Sequence, residues 1–276
     1  MKRTILSALV VSTIGLTSIA ANAGNVTVNG STTVLPAMQK IAETFMKQNP
    51  TIQVSISGGG SGHGVKAMME KTTDVAMSSR ELKSAEIEKL KSSGSDAMRY
   101  VVAIDAIVPV VHPANKVQNL SMQQLRDIYA GRIKNWKEVG GDNARITVIS
   151  RDSSSGTFES WESLVMKKER VQQRALLQAS NGAVLQTVAK NKNAIGYVGL
   201  GYLVKDIKPV SIDGIEASMK TAENRTWPIS RDLLLFTNGQ PAGETKQLID
   251  FALSKAGQKS VQEVGFVPVN QEVKFP

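Results

Sequence analysis

Small hydroxyl and glycine residues gather in three short stretches of the chain: Gly30-Ser31-Thr32-Thr33, Ser57-Gly58-Gly59-Gly60-Ser61-Gly62 and Ser153-Ser154-Ser155-Gly156-Thr157. Each stretch follows a short apolar run and precedes a segment whose apolar residues recur at helical spacing, so each reads as the loop of a strand–loop–helix unit. A helix N-terminus presents unpaired N–H groups and a partial positive charge, glycines let an anion approach the backbone, and hydroxyls add donors. Taken singly, each loop reads better as an ordinary cap and turn than as a ligand site. Three loops of one chemistry at the C-terminal ends of strands fall where open α/β sheets bind ligands, and together they predict a shared anion site. Arg151 heads the third loop, where a guanidinium can give two parallel hydrogen bonds to a tetrahedral oxyanion. Asp152 beside it reads as a partner for that charge or as the group that orients it.

Other chemistries fit poorly. The glycines Gly59 and Gly64 have the spacing of a nucleotide P-loop, but Val65 stands where its lysine belongs and the G-x-G-x-x-G order is missing. Neither Ser61 nor Ser155 lies in G-x-S-x-G, which leaves a secreted serine hydrolase as an alternative of lower rank. The chain has no cysteine and two histidines, which removes thiolate nucleophiles, disulfides, iron–sulfur clusters and cysteine-bound zinc. His63 in a glycine loop and His112 before Pro113 read as surface residues, so neither a metal nor any other cofactor is expected.

The elements that would carry these loops follow from periodicity. Strands are predicted at Val26–Val28, Ile52–Ile56, Val75–Met77, Tyr100–Val111, Ile146–Ile149, Ala194–Val198 and Leu233–Phe236. Helices are predicted after Val34, from Val65, at Ser84–Lys91, Gln123–Tyr129, Thr157–Lys168, Ala183–Ala189 and Gly243–Ala256. Alternation of this kind argues for an α/β fold with parallel sheets. Length allows one large domain or two lobes once a leader is removed. Met1-Lys2-Arg3, the apolar stretch Ile5–Ala20 and Ala21-Asn22-Ala23 read as a secretory signal peptide spanning 1–23 and cleaved after Ala23. With no cysteine after it to carry a lipid, the product is expected free in the periplasm. The formal charge of +9 is spread singly among acidic residues, which points away from nucleic acid and is compatible with an anionic small ligand.

The runs G-S-T-T-V-L-P from Gly30, S-G-G-G-S-G-H-G-V-K from Ser57, D-V-A-M-S-S-R from Asp74 and R-D-S-S-S-G-T from Arg151 resemble the PstS family of phosphate-binding proteins of ABC transporters. So do Y-A-G-R-I-K-N-W from Tyr129, A-I-G-Y-V from Ala194 and W-P-I-S from Trp227. The resemblance spans nearly all of the predicted mature chain. It implies a two-lobed periplasmic-binding-protein fold of type II with two crossing strands as hinge, near Ile107–Val111 and Leu233–Phe236. Lobe 1 would be 24–107 with 232–276, and lobe 2 would be 108–231. The implied function is binding of inorganic phosphate between the lobes and its delivery to an ABC permease, by a monomer without catalytic activity or cofactor. The family's phosphate ligands would fall on Thr32, Thr33, Ser61, Arg151, Ser155, Gly156 and Thr157. Where well-known members carry an aspartate that accepts the proton of hydrogen phosphate, this chain reads Ser79 followed by Arg80. Both are expected to line the site, with Ser79 as proton acceptor. The resemblance leaves open a receptor for another oxyanion, such as sulfate or molybdate, and a sensor or adhesin that serves no permease.

Overall fold

The computed structural model describes residues 24–269, so the predicted leader lies outside the described residues. In its first half the chain forms β1 (Gly24–Gly30), α1 (Leu35–Gln48), β2 (Ile52–Gly58), α2 (Ser61–Met69), β3 (Val75–Ser78), α3 (Ser84–Ser92) and β4 (Ala97–Val111). There follow β5 (Asn119–Leu120), α4 (Met122–Ala130), β6 (Thr147–Arg151), α5 (Gly156–Leu164), β7 (Leu176–Gln178), α6 (Asn181–Ala189) and β8 (Ala194–Gly199). The chain closes with β9 (Lys208–Pro209), β10 (Ser211–Ile212), α7 (Met219–Glu223), β11 (Ser230–Asn238), α8 (Gly243–Leu253) and α9 (Lys255–Glu263).

The main sheet runs β2-β1-β3-β11-β4-β8-β6-β7, with β9 added alongside β4. The two ends are parallel, β1 with β2 and β3, and β6 with β7 and β8. The middle is antiparallel: β11 pairs with β3 and β4, and β4 with β8. The parallel pairing expected from the sequence holds at both ends of the sheet, and the two crossing strands make its middle antiparallel. Helical crossovers enforce parallel pairing only between strands they join, and β4 and β11 are the strands by which the chain leaves one half of the molecule and returns.

Burial follows the same division. One core packs Val26, Val28, Met38, Ile41 and Phe45 against Leu233, Leu235, Leu248 and Phe266. A second, larger core packs Ile107, Val110, Tyr129, Trp136, Trp161, Tyr197, Trp227 and Ile229. The 15-residue β4 contributes to both: its first part pairs with β11 as far as Ala106, and Ile107–Val111 pair with β8. A long strand that is largely buried from Val101 to Val111 and apolar there except for Asp105 is what a crossing between two cores requires.

Several helix boundaries differ from the sequence reading, and the helix expected from Val65 already begins at Ser61. The helix expected to reach Lys168 ends at Leu164, and the chain then turns through Lys167 and Lys168, both at positive φ. The single helix expected at Gly243–Ala256 is two, because Ser254 leaves helical geometry and its hydroxyl caps α9 by accepting from the Gly257 N–H.

A candidate anion site at four helix N-termini

Parallel pairing of β1 with β2, register Gly30 to Gly58, brings the first two glycine loops side by side. The N–H groups of Gly59 and Gly60 both donate to the Gly30 carbonyl. Gly60, at φ 103°, takes a conformation open to glycine, and a side chain there would meet Ser154. The Ser31 hydroxyl accepts from the N–H groups of Thr33 and Val34, closing the turn into α1. On the other side Ser155 caps α5, accepting from the Phe158 N–H at 3.2 Å. The Gly62 N–H donates across to the Ser154 carbonyl at 3.0 Å, so the second and third loops meet directly. α5 starts at Gly156 for a steric reason: a Cβ there would lie 2.4 Å from Ser61 Oγ and 2.8 Å from Ser79 Oγ.

The hydroxyls converge. Thr33 Oγ1 and Thr157 Oγ1 are 2.8 Å apart, and Ser61 Oγ and Ser79 Oγ are 3.2 Å apart. Thr32, Thr33, Ser61, Ser79, Arg151, Ser155 and Thr157 are all buried. A fourth helix start, missed by the sequence reading, completes the ring: Asn181, the first residue of α6, donates from Nδ2 to Thr32 Oγ1 at 3.2 Å and Thr33 Oγ1 at 2.9 Å.

Two arginines supply charge. Arg151 donates from Nε to the Gln178 carbonyl and from Nη2 to the Ala179 carbonyl and Thr32 Oγ1. Its Nη1 is buried with no hydrogen-bond partner. Burial pulls the Arg151 pKa down from its ordinary value, yet a guanidinium stays charged in proteins, so this is a desolvated cation with donors to spare. Below it Tyr197 OH accepts from the Arg151 N–H, and the Tyr197 ring stacks on Trp161 at 4.1 Å. Burial pushes the Tyr197 hydroxyl up to about 12, which keeps it neutral beneath the site.

The second arginine, Arg231 on β11, was not anticipated. Its Nε and Nη2 donate to Asp105 Oδ2 on β4 at 3.1 and 3.0 Å, its Nη2 to Thr157 Oγ1 at 3.0 Å, and its Nη1 to the Ser79 carbonyl at 3.1 Å. Asp105 Oδ1 accepts from the Leu200 N–H. Burial pushes the Asp105 carboxyl up and the Arg231 guanidinium down, and each opposes the shift of the other. A signal was present in the sequence: Asp105 stands inside the apolar run Tyr100–Val111, and Arg231 precedes the apolar run Leu233–Phe236. Lone charges of opposite sign in two buried strands need one another.

Arg80 goes elsewhere. Its guanidinium pairs with Glu86 at 2.7 Å and Glu159 at 3.0 Å, and Lys83 reaches the same Glu159 at 3.1 Å. Arg80, Lys83 and Glu159 line a cavity of about 560 Å3 that Ser79, Arg231 and Ser160 also border. Asp152 accepts from the Ser154 N–H and so serves the third loop. His63 bonds to the Gly59 carbonyl and His112 to the Ala114 N–H; neither supplies a base to Ser61 or Ser155. Among the described residues no group of three or more His, Asp or Glu could hold a metal.

Comparison with known proteins gives three consistent findings. Residues 17–256 match the family model of the PBP superfamily domain. The phosphate-binding protein PstS of Borreliella burgdorferi is 32% identical over 256 residues, covering 88% of this chain and 90% of that protein. Among solved structures, a substrate-binding protein from Clostridium perfringens with bound phosphate superposes with a TM-score of 0.84 at 34% identity, covering 90% of this chain and 100% of that one. An ABC-type phosphate transport receptor from Vibrio cholerae gives 0.72 at 32%, covering 88% and 100%.

Proposed function

The chain belongs to the PstS family within the PBP superfamily and has its two-lobed α/β fold, and from that premise we propose that it binds inorganic phosphate between its two cores and hands it to an ABC-type permease. One observation carries the reading: the buried, unpartnered Nη1 of Arg151 stands among hydroxyls and helix N-termini. A desolvated cation with spare donors, ringed by further donors, is complementary to a small tetrahedral anion.

The ligands on this reading are Thr32, Thr33, Ser61, Ser79, Arg151, Ser155, Gly156 and Thr157. Arg80, neutralised by Glu86 and Glu159, belongs to the rim instead. On this reading the lobes comprise, among the described residues, 24–107 with 232–269, and 108–231. Phosphate makes bonds to both and so favours their closed arrangement, because a ligand shifts an equilibrium by its differential affinity. The protein acts as a monomeric receptor in the periplasm, after loss of residues 1–23, and carries out no reaction. Affinity at micromolar phosphate requires roughly −8 kcal/mol, within reach of several charge-assisted bonds of about 1.5–3 kcal/mol each after ordering costs.

Isothermal titration of phosphate-stripped protein beginning at Gly24 tests this. One-to-one phosphate binding that excess sulfate does not displace is the expected result. Absence of phosphate heat, or displacement by sulfate or molybdate at equal concentration, would assign the site to another ligand.

A further inference from the structure

A second concentration of positive charge lies away from the ring of hydroxyls. A cavity of about 370 Å3 opens where α4 ends and where β6 and β7 begin; Lys134, Arg145 and Arg174 line it, and no carboxylate does. Each cation comes from a different connection, Lys134 after α4, Arg145 before β6 and Arg174 before β7. All three are exposed. Among the described residues none of their side chains has a hydrogen-bond or ion-pair partner.

The acids nearby are already engaged. Arg132, two residues before Lys134, pairs with both Asp127 and Glu169. Glu138 Oε1 accepts from the N–H groups of Lys134 and Asn135. The negative end of α4 is covered as well: Gln172 donates from its N–H to the Tyr129 carbonyl and from Nε2 to the Ile128 carbonyl. Three cations gathered without a counter-charge repel one another, and a bound anion relieves that repulsion.

The rest of the lining limits what that anion is. Ile146 and Ala130 are its small apolar part and Gln173 adds an amide. No aromatic ring lines it to stack a base, and no long apolar wall is there for an acyl chain. Its volume falls at the lower end of small-molecule sites. One exposed cation holds one charge weakly, so retention requires several charges joined in one molecule. A phosphoryl group brings close to two charges and three acceptor oxygens, and an arginine fork meets it through two parallel bonds.

We propose that this cavity binds short condensed phosphates, such as pyrophosphate and tripolyphosphate, with Arg145 and Arg174 each taking a phosphoryl group and Lys134 supplying a third charge. From Ile146 to Arg151 the chain runs along β6 for about 16 Å, so the cavity is separate from the hydroxyl ring. The proposal stands independently of the phosphate reading of that ring.

The experiment is calorimetric titration with tripolyphosphate of the chain beginning at Gly24, as wild type, as the double variant Arg145→Gln/Arg174→Gln and as Arg151→Ala, with a thermal melt of each. Wild type and Arg151→Ala should bind one tripolyphosphate with similar affinity, weakening as salt is raised because exposed charges are screened. The double variant should bind at least tenfold more weakly. Without ligand it should melt no lower than wild type, since the groups removed have no protein partners; a merely structural role would lower its melting temperature. Equal affinity in wild type and the double variant, or absence of binding to wild type, overturns the proposal. Loss of binding in Arg151→Ala overturns it too, by placing tripolyphosphate in the hydroxyl ring. Citrate and vesicles of phosphatidylglycerol are the comparison probes. Citrate binding as tightly as tripolyphosphate, or vesicle binding that needs Arg145 and Arg174 and that tripolyphosphate does not displace, would assign the cavity to carboxylates or to a lipid surface instead.

Discussion

At the scale of single residues the site depends on what is left unsatisfied. Arg151 is held by two backbone carbonyls and Thr32, with Nη1 unpartnered; truncation removes a buried cation whose burial is itself unfavourable. Arg151→Ala should therefore weaken phosphate binding at least tenfold by calorimetry while the melting temperature of the unliganded protein hardly moves; an unchanged affinity would take Arg151 out of the site. Gly156 makes the complementary case. A methyl group there would press on Ser61 and Ser79, so Gly156→Ala should also reduce affinity by tenfold or more, and titration alongside Arg151→Ala compares the two. Residue types and spacing made Thr32, Thr33, Ser61, Arg151 and Thr157 legible as one cluster, because small donors after strands advertise a helix N-terminus. They did not reveal that Arg80 turns to Glu86 and Glu159, since a side chain's partner depends on which helices lie beside it. Asn181 was hidden for a related reason: after the cap Ser180 it reads as an ordinary first-turn residue, and only the placement of α6 beside Thr32 makes it part of the site.

At the scale of elements, the strand–loop–helix units were legible from apolar period and glycine punctuation, whereas helix ends and strand directions were not. Ser254 illustrates the gap: its neighbours continue a helical pattern, and the break exists because Gly257 packs against the carbonyls of Phe251 and Ala252, closer than any side chain allows. Removing that cap with Ser254→Ala should lower unfolding stability by about 1 kcal/mol, read as a shift in urea midpoint, with phosphate affinity unchanged. The start of α3 has an electrostatic counterpart. Glu86 accepts from the Lys83 N–H and from Arg80. Burial pushes its carboxyl up, but the Arg80 and Lys83 bonds outweigh burial and hold it below 4.5. A carboxyl lowered in the folded state stabilises the fold above its unfolded pKa and loses that contribution as pH falls through the folded value. Glu86→Gln should thus be less stable than wild type at neutral pH, and the difference should shrink and then vanish as acidification passes below the ordinary carboxylate range and through the lowered folded value. A difference that persists unchanged in acid would show that shape, not charge, is what Glu86 provides.

At the scale of the whole molecule, two cores are joined by the crossing strands β4 and β11 and meet across the candidate site, so contacts between them would govern how readily a cleft there opens. Bonds through the candidate site itself, such as Thr33 to Thr157, join the two sides where phosphate would sit on the proposed reading. The pairing of Arg80 with Glu159 and of Lys83 with Glu159 joins them at the rim, outside the ring of hydroxyls. Glu159 lies in the first turn of α5, two residues after Thr157, so any motion that breaks this pairing carries the third loop away from the first two. Arg80 and Glu159 are mostly buried, and salt screens such a pair less than one fully in solvent. Glu159→Gln removes the charge, keeps the shape, and leaves Arg80 its bond to Glu86. The expected outcome is phosphate dissociation several-fold faster in stopped-flow measurements, with association little changed, because contacts that form only on closing are felt in the escape rate. The fall in radius of gyration on adding phosphate, read by small-angle scattering, should then require a higher phosphate concentration than in wild type. Equal dissociation rates for the two proteins would mean that closure is held by the anion alone, and that the rim pairing steadies α3 and α5 without taking part in capture.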